Sequence, residues 1–136
     1  MAKKKTVLLI DDDPGIREPL ALLLRGAGIT VYEACDGLKG VTLFRDVEPN
    51  LVITDLVMPA QQGYKTIWHI RRVSPHVKII AMSGGAPRPD GTLIAGEEML
   101  ESASQFGADF VFLKPFEPSD MIQKVFEIMN EIEGTP

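Results

Sequence analysis

The stretch from Leu51 to Pro59 limits the fold more than any other part of the chain. Leu51, Val52, Ile53 and Thr54 form a short, almost wholly apolar run that ends in one carboxylate, Asp55. A continuous run of this length suits a strand buried on both faces of a parallel sheet. Pro59 cannot extend a strand ladder, so the chain must turn away there. Asp55 then stands at the carboxyl end of its strand, where open α/β sheets hold their ligands. A strand-end aspartate can also be a turn former or a helix cap, so its weight depends on what converges on it.

The rest of the chain alternates between the same two kinds of element. Val7 to Ile10 reads as a first buried strand, followed by Asp11, Asp12 and Asp13. Asp13 before Pro14 is the signature of an N-cap with proline at the first helical position. Ile16, Leu20, Leu23 and Leu24 give the stripe of an amphipathic helix ending at Gly26 and Gly28. Pro19 inside it is expected to kink the helix or delay its regular start. Thr30 to Ala34 is the second strand, Asp36-Gly37 a turn, and Val41, Leu43 and Phe44 mark a short second helix. After the Asp55 strand and a turn at Gly63, Tyr64, Ile67 and Ile70 stripe a third helix ending near Val73. Lys78 to Met82 is a fourth strand, with Ser83 just beyond it.

Gly84 to Gly96 is rich in glycine and proline and reads as a long loop. A helix to about Phe106, a fifth strand from Asp109 to Leu113, and a last helix starting near Pro118 or Ser119 complete the pattern. Five strands alternating with five helices, joined by right-handed crossovers, predict a doubly wound parallel sheet. The expected strand order is the flavodoxin-like 2-1-3-4-5, with the first and third strands adjacent at the switch point.

Composition narrows the function classes. The 136 residues are 45% hydrophobic and 24% charged, an ordinary globular balance. A net charge of −5 argues against a general nucleic-acid binder. The single cysteine, Cys35, can form no internal disulfide; it reads as a small packing residue and fits a reducing, cytoplasmic location. The lysines at positions 3 to 5 precede an apolar run too short for a signal peptide. No apolar stretch reaches membrane-spanning length, so no membrane association is expected.

Four strand ends point into one crevice. They bring Asp11 and Asp12, Asp55, Ser83 and Lys114. Each alone has an ordinary reading as a turn, loop or surface residue, and their convergence is what gives them meaning. Three carboxylates together repel unless a cation joins them. Hard oxygen ligands with room for water suit Mg²⁺. A carboxylate can attack phosphorus to form an aspartyl-phosphate, while a lysine and a hydroxyl can meet the charge on the transferring oxygens.

With these segments in hand, the chain resembles the receiver domain of bacterial two-component response regulators, in the single-domain form typified by the chemotaxis regulator. The resemblance rests on Val7 to Pro14, Thr54 to Pro59 with Gly63, Ala81 to Gly84, and Gly107 to Asp109 running on to Leu113 through Phe116. It implies that Asp55 is the phosphoacceptor and that Asp12 binds Mg²⁺ directly, Asp11 largely through water, with Asp55 and the Val57 backbone carbonyl as further ligands. Ser83 and Lys114 would stabilise the phosphoryl group, and the Lys114–Pro115 bond would be cis.

The implied function is that of a phospho-accepting signalling domain, with no enzyme activity beyond self-catalysed phosphorylation and dephosphorylation. The implied partners are a sensor histidine kinase or histidine phosphotransfer protein, and a downstream protein that the sequence does not identify. A single receiver domain is expected over residues 1–136, with its core at about 5–133 and tails at 1–4 and 134–136; no effector is expected after Gly134 in this chain, whether it is a single-domain regulator or the receiver of a longer one.

The chain departs from the family pattern at three places. Val111 stands where an aromatic switch residue is common, Gln62 replaces an acidic residue before Gly63, and the loop after Ser83 is long. Ser83 is therefore expected to switch through the segment from Gly84 to Glu98 rather than through Val111.

Other readings fit less well. A haloacid-dehalogenase-type phosphatase would use Asp11 as nucleophile with Asp13, but the chain has no room for a cap domain and no paired acids at a strand end after Lys114. A flavin mononucleotide binder would not place three aspartates where a phosphate must sit. A receiver that signals without phosphorylation would have lost some of these acids or the lysine. His69 and His76 read as surface residues rather than phosphorelay histidines.

Overall fold

The computed structural model describes residues 5–56, 63–84, 101, 104–105 and 107–133. Its strands are β1 (Thr6–Ile10), β2 (Thr30–Ala34), β3 (Leu51–Asp55), β4 (Lys78–Ser83) and β5 (Phe110–Leu113). They form one parallel sheet in the order β2-β1-β3-β4-β5. The helices are α1 (Pro14–Gly26), α2 (Gly37–Val47), α3 (Gly63–Val73) and α4 (Pro118–Glu133). The helix expected before Phe106 falls largely outside the described residues, of which Glu101, Ser104 and Gln105 are helical. Val57, Gln62 and the loop beyond Gly84 also lie outside them.

Burial explains why the central strands are apolar without alternation. Every residue of β3 is buried, as is β1 from Val7 onward. Val7, Leu9, Ile53, Ile80 and Met82 face one side and pack with Leu20 and Leu24 of α1 and with Met121 and Val125 of α4. Leu8, Ile10, Val52 and Ile79 face the other and pack with Val41 and Phe44 of α2 and with Ile67 and Ile70 of α3. Consecutive side chains thus feed opposite cores, and both cores need apolar partners.

Local chemistry shifts several expected boundaries. Asp13 caps α1 as expected, its carboxylate accepting the Gly15 N–H at 2.8 Å. The helix begins at once at Pro14 and contains Pro19, so its regular start is not delayed. Pro19 lies inside the helix, where it cannot donate to the Gly15 carbonyl and its ring crowds that oxygen. Asp36 is the N-cap of α2 rather than part of a free turn, accepting from the Lys39 N–H at 2.8 Å. Gly63 is the first residue of α3, and Ser83 is the last residue of β4, pairing with Leu113. Cys35 is partly exposed rather than packed in a core, with the Lys39 ammonium 3.3 Å from its sulfur.

The far end of the sheet is tied by one guanidinium. Arg71, in the last turn of α3, donates to the Gly107 carbonyl (2.7 and 2.9 Å), the Pro75 carbonyl (3.2 Å), the Val77 carbonyl and Asp109 Oδ2 (2.8 Å). The same Asp109 oxygen accepts the Ile79 N–H at 2.8 Å. Gly107 takes φ +103°, and a Cβ there would press within 3.2 Å of the Arg71 stem. Arg71→Met keeps the stem and deletes the donors, leaving several carbonyls without this partner. We expect a loss of about 2 kcal/mol, read as a lower urea midpoint at unchanged slope. An unchanged midpoint would mean that water replaces the guanidinium at no cost.

Candidate functional site

Strand register assembles the site. Ile10 pairs with Thr54, so the next residues, Asp11 and Asp55, leave β1 and β3 at the same level. Asp55 is level with Met82 on β4, and Ser83 follows it. Ser83 in turn pairs with Leu113, and Lys114 follows that. The Lys114 N–H donates to the Ser83 carbonyl at 2.7 Å, and the Leu56 N–H to the Met82 carbonyl at 2.9 Å, extending the ladders past the crevice.

The carboxylates converge as the sequence predicts. Asp11, Asp12 and Asp55 each offer an oxygen, all within 4.8 Å of one another. Asp11 is fully buried, Asp55 nearly so, and Asp12 is exposed at the mouth. Lys114 Nζ lies 3.1 Å from Asp11 Oδ2 and 3.2 Å from Asp55 Oδ2. Asp11 Oδ1 also accepts the Asp13 N–H at 2.9 Å. Ser83 is fully buried, and Val111 is half-buried against the core formed by β1, β3, α2 and α3. The Lys114–Pro115 peptide bond is cis.

The donor set is hard oxygen, carries excess negative charge, and opens to solvent on the Asp12 side. Those features fit a divalent cation such as Mg²⁺. Asp13 stands outside this group because its carboxylate is engaged in capping α1.

One protein family matches most of this chain. The model of the response regulator receiver domain matches residues 7–126. The chain belongs to that family. It is 30% identical to the DNA-binding response regulator MtrA of Mycolicibacterium smegmatis, over 98% of this chain and 54% of that protein. It is 32% identical to the probable transcriptional regulator ycf27 of Cyanophora paradoxa, over 96% of this chain and 51% of that protein. The chain thus spans about half the length of these relatives.

Solved structures agree on the fold. A CheY-like receiver domain protein from Methanospirillum hungatei superposes with a TM-score of 0.83 at 25% identity, covering 96% of this chain and 98% of that one. The chemotaxis protein CheY4 of Vibrio cholerae gives a TM-score of 0.79 at 22% identity, covering 93% of this chain and 99% of that one.

This receiver has one site-supporting residue that the sequence reading passed over. Arg17, one turn into α1, donates to the Asp11 backbone carbonyl at 2.6 Å and to Glu33 Oε1 at 3.3 Å. It ties the acidic strand end to α1 and, through the Glu33 carboxylate, to β2. A basic residue four positions after the N-cap was the available signal.

The charge of Lys114 is strongly coupled to the site. Burial alone would pull its pKa down; attraction to Asp55, with the hydrogen bond and charge of Asp11, outweighs this and raises it above the ordinary 10.5. The folded state therefore holds this proton more tightly than the unfolded state does. The resulting stabilisation is complete below pH 10.5 and disappears as pH rises through the folded value. In Lys114→Met that alkaline loss should be missing, and neutral-pH stability should fall because Asp11 and Asp55 face each other without the ammonium. Denaturation of both proteins across alkaline pH tests this; parallel curves would show that the ammonium adds nothing.

Proposed function

We propose that this receiver takes a phosphoryl group onto Asp55 from a phosphohistidine of a sensor histidine kinase or histidine phosphotransfer protein. The observation that carries the reading is Asp55 held between two further carboxylates and the Lys114 ammonium. An Asp55 carboxylate oxygen attacks phosphorus; the new P–O bond forms as the P–N bond breaks, and the imidazole leaves with the electron pair and takes up a proton. Asp11, Asp12, Asp55 and the Val57 carbonyl would hold Mg²⁺, which supplies positive charge to the phosphoryl oxygens when bound. Lys114 would meet the same charge from the β5 side, and the Ser83 hydroxyl, at the β4 end, would donate a hydrogen bond to a phosphoryl oxygen.

Beyond this self-catalysed transfer and the hydrolysis of the aspartyl-phosphate to inorganic phosphate, no enzyme activity is proposed. The relatives named above are described as a DNA-binding regulator and a transcriptional regulator, and only about half of each is matched. For this acidic chain we propose output to a protein partner in the cytoplasm, through Ser83 and the segment from Gly84 to Glu98, with Val111 too small to act as an aromatic switch.

Incubation with a small phosphodonor and Mg²⁺ should add one phosphoryl group by intact mass, absent in Asp55→Asn. Asp12→Ala should abolish the metal-dependent phosphorylation and weaken Mg²⁺ binding. Addition that survives Asp55→Asn would move the nucleophile elsewhere, Asp11 first.

The donor protein needs a surface beside Lys114. An apolar cleft of about 400 Å³ opens there, lined by Ile16, Leu20, Leu23, Pro115 and Phe116 among others. Leu23 is 45% exposed, so a charge there is compatible with folding. Leu23→Asp should slow transfer from a phosphohistidine protein at least several-fold and leave labelling by the small donor unchanged. Equal loss with both donors would show a damaged site rather than a damaged docking surface.

A further inference from the structure

The inward face of α3 is spent on the core through Thr66, Ile67 and Ile70, all fully buried. Its outward stripe is Lys65, Trp68, His69 and Arg72, at the i, i+3, i+4, i+7 spacing of one helical face. Trp68 is 51% exposed, an unusual cost for the largest side chain, and it is the chain's single tryptophan. The Arg72 guanidinium lies over its ring at 4.6 Å, and His69 meets it edge-on at 5.0 Å. The helix contains no acidic residue, although the chain as a whole carries −5. At its end Val73 is 48% exposed and borders an open cleft of about 300 Å³ with Phe44 and Pro49.

Tryptophan and arginine are the residue types most enriched where binding energy concentrates. A guanidinium stacked on an aromatic ring keeps its in-plane N–H donors for a carboxylate. Neither group supports the crevice at the other end of the sheet, and neither is needed for the core. We propose that the Lys65–Trp68–His69–Arg72 face of α3 docks an acidic protein segment that sets carboxylates beside an aromatic or aliphatic side chain. The carboxylates would pair with Lys65 and Arg72, and the apolar group would cover the indole. Charge complementarity selects this partner: the patch is cationic on an otherwise acidic protein, so an acidic segment is drawn to this face and repelled elsewhere. The overall negative charge disfavours nucleic acid for the same reason.

The lone tryptophan makes the interaction directly readable. A short synthetic peptide of alternating glutamates and leucines, titrated into the full chain, should shift Trp68 emission, and the shift should weaken as salt rises. A fluorescein-labelled copy should bind Trp68→Ala and the Lys65→Glu, Arg72→Glu double variant about tenfold or more weakly than the parent, a difference of about 1.4 kcal/mol. Arg72→Gln, the milder change, should give an intermediate loss. Circular dichroism and Mg²⁺-dependent phosphorylation should be unchanged in all of them.

The proposal is overturned if the peptide leaves Trp68 emission unaltered at millimolar concentration. It is overturned equally if the same peptide with glutamine for glutamate binds as well, or if the charge-reversed variant keeps full affinity. Binding of duplex DNA or phosphatidylserine vesicles, with none of the acidic peptide, would also refute it.

Discussion

The alignment of two parallel strands is what the whole site depends on. Because Ile10 is paired with Thr54, the carboxylates that follow them come out side by side. A slip of one residue would turn every side chain of a strand to the opposite face. Here that would move Leu8 and Ile10 into the core shared with α1 and α4, and Leu9 into the core shared with α2 and α3. Both cores are apolar, so burial alone does not forbid the exchange; close packing of side chains of different shape does. The fit of β1 and β3 between the two cores favours one register, and that register brings negative groups together.

Such a cluster is held at an electrostatic cost that other parts of the chain offset. Lys114 reaches back from the end of β5 to within hydrogen-bond distance of both Asp11 and Asp55. Its own placement comes from the same rule, since Ser83 pairs with Leu113 and the Lys114 N–H continues the ladder. Exposure grades across the crevice, from a fully buried Asp11 to an exposed Asp12. The cation thus satisfies the inner carboxylates, while the outer one stays accessible to solvent and to a metal ion.

Most of the sheet was legible in the sequence because burial on two faces forces uninterrupted apolar runs. The run from Leu51 to Ile53 admits little else; the alternation of elements gives the doubly wound class, and the observed order is the flavodoxin-like one of that class. The site residues were legible for the same reason, as polar residues placed where such runs stop. Asp36 and Gly63 were harder. Asp and Gly favour turns and helix starts alike, and only the Lys39 N–H in hand shows which one Asp36 serves. Arg17 and Arg71 were missed altogether. Both act on backbone carbonyls, Arg17 on that of Asp11 and Arg71 on those of Val77 and Gly107, and a carbonyl leaves no mark in the sequence.

Gly40 of α2 rests against Ile10 so closely that a Cβ would come within 2.5 Å of its Cδ1 and 2.9 Å of its Cγ1. Ile10 immediately precedes Asp11, so helix and strand are in contact without slack at the root of the acidic cluster. The opposite wall is built differently: β5 is an edge strand, its residues are only partly buried, and Leu113 is 41% exposed. The crevice accordingly has a close-packed wall on one side and a partly exposed edge strand on the other. Close-packed interiors transmit displacement instead of absorbing it. A change of charge at Asp55 would therefore meet a wall without slack on the β1 side and a less closely enclosed strand on the Lys114 side.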